Sequence, residues 1–247
     1  VKNYMIEMGG KNAMIIDSDA DLDEAVHAVI YSAFGFQGQK CSACSRAIVH
    51  EEVYDKFLVR LTDAASSLKI DFAENPWSYF GPVIDEEAHK RILNTIATSK
   101  TTCKMIFQGQ VPTEGYFVPP TIFADVDPNS DLAQKEIFGP VLAVIKVKNI
   151  EEALQVANSV EYGLTGGVFS RSPSNIEKVK EEMEVGNLYI NRTITGAMVD
   201  RHPFGGFKMS GVGSKTGGPD YLLQFVEPRV ITENTMRRGF APSDDES

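Results

Sequence analysis

Val141-Leu142-Ala143-Val144-Ile145-Lys146-Val147 is the stretch that decides the fold. Its apolar, β-branched run is the strongest strand signal in the chain. A helix over 151–159 and a strand at Gly167-Val168-Phe169-Ser170 follow it. The same alternation appears upstream. Asn12-Ala13-Met14-Ile15-Ile16 reads as a short buried strand. Asp21 then resembles an N-cap, with Glu24 in capping-box position. Leu22, Ala25, Val26, Val29, Ile30, Ala33 and Phe34 repeat at helical spacing up to Gly35. Ala47–His50 and 187–191 read as strands, 53–68, 84–98 and 174–184 as helices, and 103–107 and 117–122 as extended. Pro119 and Pro120 favour an edge or a strand end for the last of these. Strands alternating with helices predict an α/β domain with a largely parallel sheet flanked by helices.

Composition narrows the function. The 247 residues can bury a sizeable core, and 43% hydrophobic with 23% charged residues is ordinary for a globular protein. A net charge of −10 argues against a nucleic-acid surface, which needs clustered Lys and Arg. No apolar run approaches the ~20 residues that span a bilayer. Three cysteines, Cys41, Cys44 and Cys103, do not form an even disulfide framework. A reducing compartment suits a free thiol, so the expectation is the cytoplasm, with the mitochondrial matrix as the other option.

Phe36-Gln37-Gly38-Gln39-Lys40-Cys41-Ser42-Ala43-Cys44-Ser45-Arg46 carries the chemistry. Cys41 has Gly, Gln, Lys and Ser around it rather than apolar core residues. Lys40 or a helix N-terminus could lower its pKa and expose a thiolate. Glu7, before Gly9-Gly10-Lys11, offers a carboxylate on permissive backbone. A thiol attacks a carbonyl, and a carboxylate then activates water to release the acyl group. Cys41 and Cys44 form a C-x-x-C without a second Cys/His pair, so no metal is expected and Cys44 reads as packing beneath the nucleophile. His27, His50, His89 and His202 form no paired motif. Gly205–Gly218 reads as a loop and is not a P-loop, because Val212 and Gly213 stand where Lys and Ser/Thr are needed.

Glu7-Met8-Gly9-Gly10-Lys11 followed by Gly38-Gln39-Lys40-Cys41 resembles the aldehyde dehydrogenase superfamily. Lys135-Glu136-Ile137-Phe138-Gly139-Pro140-Val141 and His202-Pro203-Phe204-Gly205-Gly206-Phe207-Lys208-Met209-Ser210-Gly211 agree, in the right order. Cys41–Arg46, Thr195-Gly196-Ala197 and Gly217–Leu222 are similar to the branch that oxidises L-glutamate γ-semialdehyde in proline catabolism, the Δ1-pyrroline-5-carboxylate dehydrogenases. The resemblance implies an NAD-dependent enzyme with Cys41 as nucleophile and Glu7 as base for thioester hydrolysis. It implies that Glu136 binds the nicotinamide ribose hydroxyls and Phe138 lines the nicotinamide pocket. Ser42 and the amides of Gly196 and Ala197 would anchor the substrate's amino-acid end, with Phe204 against its aliphatic middle.

The superfamily carries a nucleotide-binding domain and an oxyanion-stabilising Asn before the Glu-Met-Gly-Gly-Lys segment, whereas this chain begins six residues before Glu7. It also lacks a Gly-x-Gly-x-x-Gly turn between strand and helix. It therefore reads as the C-terminal catalytic half, with no dehydrogenase turnover expected from it alone. The expected organisation is a catalytic thiol domain over 1–227, an oligomerisation strand over 228–236 and a polar tail over 237–247, with disorder expected at Ser243–Ser247. The strand, at Pro228–Thr232, would pair with a second subunit by resemblance. Two other readings are a stand-alone thiol esterase or hydrolase and a non-catalytic assembly module.

Overall fold

The computed structural model describes residues 2–236, so the expected polar tail lies outside the described residues. In chain order the strands are β1 (Ile6–Glu7), β2 (Asn12–Ile16), β3 (Cys44–His50), β4 (Lys104–Gln108), β5 (Thr121–Ala124) and β6 (Val141–Val147). They continue with β7 (Tyr162–Gly163), β8 (Thr165–Phe169), β9 (Asn187–Ile190), β10 (Phe207–Lys208) and β11 (Gly211–Val212). The helices are α1 (Leu22–Phe34), α2 (Glu51–Ser66), α3 (Glu86–Ser99), α4 (Asp131–Gln134), α5 (Ile150–Asn158) and α6 (Pro173–Glu182).

Seven strands form one sheet in the order β4-β5-β6-β3-β2-β8-β9. Only the edge strand β4 is antiparallel to its neighbour. The largely parallel expectation holds, and its cause is visible in the strands. Both faces are covered by helices, so central strands must be apolar on both sides. In β2, Met14 and Ile16 face the helices α1 and α2, while Ala13 and Ile15 face α3, α5 and α6. β6 divides the same way, with Leu142 and Val144 on one face and Ala143 and Ile145 on the other.

Helix starts follow their caps. The Asp21 carboxylate accepts the amides of Asp23 and Glu24, and Asp85, Asn149 and Ser172 cap α3, α5 and α6 in the same manner. Pro119 and Pro120 immediately precede β5, which is an inner strand, so the strand-end reading is the correct one. None of the described helices is long and apolar enough to cross a membrane.

One expectation changes. Gly205–Gly218 is not all loop: β10 pairs with β7 and β11 with β1. These two-residue ladders are too short to leave a periodic signal in sequence. Among the described residues, Pro228–Thr232 pairs with no other strand. Its Val230 and Ile231 are exposed, at 88% and 75%.

Candidate active site

The amino ends of the sheet strands meet at one place. Gly10 and Lys11 lead into β2, Ser42 and Ala43 into β3, and Gly139 and Pro140 into β6. Open α/β sheets commonly bind ligands at the carboxyl ends of their strands. Here the chemistry-bearing residues cluster at the opposite end.

Cys41 sits in a tight turn between α1 and β3. Phe36, Gln37 and Gly38 all have left-handed φ (56°, 47° and 66°). At Gly38 a Cβ would come within 2.4 Å of the Gly139 carbonyl oxygen. Only glycine lets this turn lie against the chain entering β6. Asn12 holds the turn from below. Its Nδ2 donates to the carbonyls of Cys41 (2.7 Å) and Ala43 (2.8 Å), and its Oδ1 accepts the Thr165 amide (3.0 Å). Cys44 is buried beneath, with its thiol donating to the Arg46 carbonyl at 3.4 Å, as a packing residue should. Burial pushes its pKa to about 12, which keeps it protonated and inert.

Glu7 arrives on β1, whose pairing with β11 sets Glu7 opposite Gly211. A Cβ at Gly211 would lie 2.5 Å from the Ile6 carbonyl oxygen, so this close ladder needs glycine. The Glu7 carboxylate is exposed and accepts a hydrogen bond from the Thr216 hydroxyl. Thr216 in turn exchanges two backbone hydrogen bonds with Phe204, at 2.9 and 2.8 Å.

Glu136 reaches across to the Glu-Met-Gly-Gly-Lys segment. Its Oε1 accepts the Gly10 amide at 2.9 Å, and a Cβ at Gly9 would sit 2.1 Å from its Oε2. Phe138 follows with φ 55° and is 38% exposed. On composition it reads as a core phenylalanine. Its left-handed backbone instead turns the ring out into the cleft.

That cleft has a volume of about 560 Å³. Its walls include Cys41, Ser42, Phe138, Ala197 and Phe204. Gly196, with φ 83°, is exposed and is not among the wall residues. Thr216 also lines the cleft, and it lines the adjoining one that contains Glu7. A thiol, a hydroxyl and two aromatic rings thus share one space, and a carboxylate is tied to its wall. Among the described residues no cluster of His, Cys, Asp or Glu could hold a metal ion.

The electrostatics overturn one expectation. The Cys41 thiol is not depressed. Burial raises its pKa above the ordinary 9.0, and the carboxylates of Glu136 and Glu7 raise it further, while the amides of Ser42 and Cys41 pull the other way. Lys40 does not help: its ammonium lies 5.8 Å from the centre of the Phe36 ring. No helix begins at Cys41 to offer a dipole.

Four residues escaped the sequence reading. Asn12 and Thr216 act on partners 29 and 209 positions away, a distance no local pattern reports. Arg46 is fully buried, and its guanidinium donates to the carbonyls of Lys11, Val156 and Ala157 at 2.8–2.9 Å. It therefore caps the end of α5 and ties it to the segment that carries Glu7. Lys11 is also buried, with no hydrogen-bond partner for its ammonium among the described residues. Burial and then the Arg46 charge lower its pKa to about 7.

Comparison with known proteins gives one answer. The model of the aldehyde dehydrogenase family matches residues 1–231. A 1-pyrroline-5-carboxylate dehydrogenase of Geobacillus sp. is 48% identical over 94% of this chain, and one from Bacillus subtilis is 49% identical over the same share. The chain spans 45% of the length of these curated relatives. Among solved structures, proline utilization A from Bdellovibrio bacteriovorus inactivated by N-propargylglycine is 68% identical, with a TM-score of 0.93. The match covers 97% of this chain and 25% of that one. A 1-pyrroline-5-carboxylate dehydrogenase from Thermus with bound NAD is 47% identical, with a TM-score of 0.87, over 90% of this chain and 43% of that one.

Proposed function

The chain belongs to the aldehyde dehydrogenase family, and from that premise we propose that its cleft oxidises L-glutamate γ-semialdehyde to glutamate, a step of proline catabolism, with NAD⁺ as hydride acceptor. The observation that carries this reading is the shared cleft: Cys41, Ser42, Phe138, Ala197 and Phe204 wall one space, and Thr216 links it to Glu7. The names of the relatives support the substrate.

The residues fit the cofactor's nicotinamide end. Glu136 spends Oε1 on the Gly10 amide and keeps acceptor capacity on Oε2 for a vicinal diol. Phe138 offers an exposed ring beside Cys41. When bound, NAD⁺ supplies the two-electron acceptor that turns a thiohemiacetal into a thioester.

The chain's own residues do the rest. The Cys41 thiolate adds to the aldehyde carbon to form the thiohemiacetal. The Cys41 backbone amide supports part of the developing oxyanion. The Ser42 hydroxyl and the 196–197 amides receive the substrate's carboxylate, and Phe204 packs along its methylenes. After oxidation, Glu7 takes a proton from water. The water oxygen attacks the thioester carbon, Cys41 leaves as thiolate, and glutamate is released.

The test compares two preparations. The 247-residue chain given NAD⁺ and the semialdehyde is expected to form no measurable reduced cofactor, because the described residues include no phosphate-binding glycine turn. The protein as the cell makes it is expected to form reduced cofactor, and to lose this with Cys41→Ala. Turnover that survives Cys41→Ala would end the reading. We also propose that the exposed 228–236 segment pairs with a second copy. Deletion of 228–236 should then lower the mass measured by light scattering.

A further inference from the structure

Asn12 spends all of its side-chain hydrogen-bonding groups on the turn that carries Cys41 and on the strand beside it. Both hydrogens of Nδ2 go to carbonyls of that turn, at 2.7 Å (Cys41) and 2.8 Å (Ala43), and Oδ1 takes the Thr165 amide at 3.0 Å. The carbonyl between them, that of Ser42, accepts the Thr165 hydroxyl at 3.4 Å. Three successive carbonyls are thus drawn inward by two side chains on adjacent strands. Asn12 is 3% exposed and Thr165 is 1% exposed, so water does not compete for these bonds.

Peptide planarity converts that pull into a push. In a trans peptide the C=O of one residue and the N–H of the next point in opposite directions. The Cys41 carbonyl and the Ser42 amide belong to one such unit. Holding the carbonyl on Asn12 therefore aims the Ser42 N–H the other way, away from the Asn12 side chain.

We propose that Asn12 is a positioning residue for the nucleophile: by gripping the Cys41 and Ala43 carbonyls it keeps the Ser42 amide aimed at the Cys41 sulfur. The proposal rests on Cys41 being the reactive thiol, and it extends that reading to a residue of the neighbouring strand. Gly10 completes the device, because a Cβ there would stand 2.6 Å from the Cys41 carbonyl oxygen and 2.7 Å from Asn12 Oδ1. Asn12 touches neither substrate nor the reacting atoms, so it acts only through the peptide it orients.

Alkylation by iodoacetamide tests this without cofactor. The chain carries Cys103→Ser, and the modified peptide is read by mass spectrometry across a pH series. In Asn12→Ser and Asn12→Asp the rate at Cys41 below the thiol's midpoint is expected to fall about tenfold, the factor that one lost charge-assisted hydrogen bond carries. The midpoint should move up, while the far-ultraviolet circular dichroism stays that of the parent. Either folded variant with the parent's profile overturns the proposal. Should neither fold, the parent decides: the Ser42 amide resonance must move with the midpoint at which Cys41 titrates, and a Ser42 amide indifferent to that titration overturns the proposal. An unreactive Cys41 in the parent would instead overturn the functional reading beneath it.

Discussion

A Cβ placed on Gly9 would stand 2.1 Å from Oε2 of Glu136, so the proposed cofactor carboxylate occupies the space that any other residue at position 9 would fill. The two residues are far apart in sequence, and the Gly10 amide on Glu136 Oε1 closes the same contact at 2.9 Å. Glycine at this position is therefore a condition for where Glu136 sits.

Gly9→Ala follows from that contact. The methyl must displace the Glu136 carboxylate, which is the far end of a flexible, half-buried side chain, so the fold gives way at little cost. Thermal unfolding should report a Tm close to the parent's. In the protein as the cell makes it, KM for NAD⁺ should rise more than kcat falls, because binding is what Glu136 provides.

The raised Cys41 thiol predicts a pH dependence. A thiol held above its ordinary 9.0 is mostly protonated at neutral pH, so alkylation should climb steeply on the alkaline side. Burial is the largest cause and will remain in any variant. Glu136→Gln and Glu7→Gln each remove a like charge, so each should shift the profile to lower pH and speed alkylation near neutrality. A shift in the opposite direction would mean that neither carboxylate faces the sulfur.

Lys11 makes a stability prediction with a definite sign. Its folded pKa is about 7, against 10.5 when exposed. Between those values the unfolded chain binds more protons, so stability rises with pH from about 7 to 10.5. Below 7 the full cost of burying the ammonium remains. Lys11→Met should therefore raise stability at pH 7, by roughly a few kcal/mol. It should also flatten the slope between pH 7 and 10.5. Urea titrations at several pH values measure both effects.

Cys44→Ala separates packing from chemistry. The side chain is 1% exposed and its thiol is inert, so the change removes buried sulfur and its weak hydrogen bond to the Arg46 carbonyl. The expected cost is about 1 kcal/mol, read by urea unfolding, with Cys41 alkylation unchanged. A large fall in Cys41 reactivity would show that the pair works as a unit.

The legible and illegible parts of this molecule divide by distance along the chain. Asp21 and the apolar spacing of 22–34 announce α1, because a cap and a helical stripe are local. The parallel sheet could be read from apolar strands separated by helices. Cys41 stood out because its neighbours are too polar for a core position. Phe138 could not be read from composition, since its φ of 55° comes from the turn it occupies. The direction of the Cys41 shift was missed because Lys40 is adjacent in sequence while its charge lies beside Phe36. Asn12 looked like one more strand residue, and its partners lie on a turn 29 to 31 positions later.

The most direct test is single-turnover oxidation by Glu7→Gln in the protein as the cell makes it. With NAD⁺ and L-glutamate γ-semialdehyde, the variant should release about one equivalent of reduced cofactor per site and then stall. The stalled protein should carry a glutamyl group on the tryptic peptide that contains Cys41, sensitive to hydroxylamine. Steady turnover by the variant, or a stalled acyl group on any other residue, would contradict the assignment of Cys41 and Glu7.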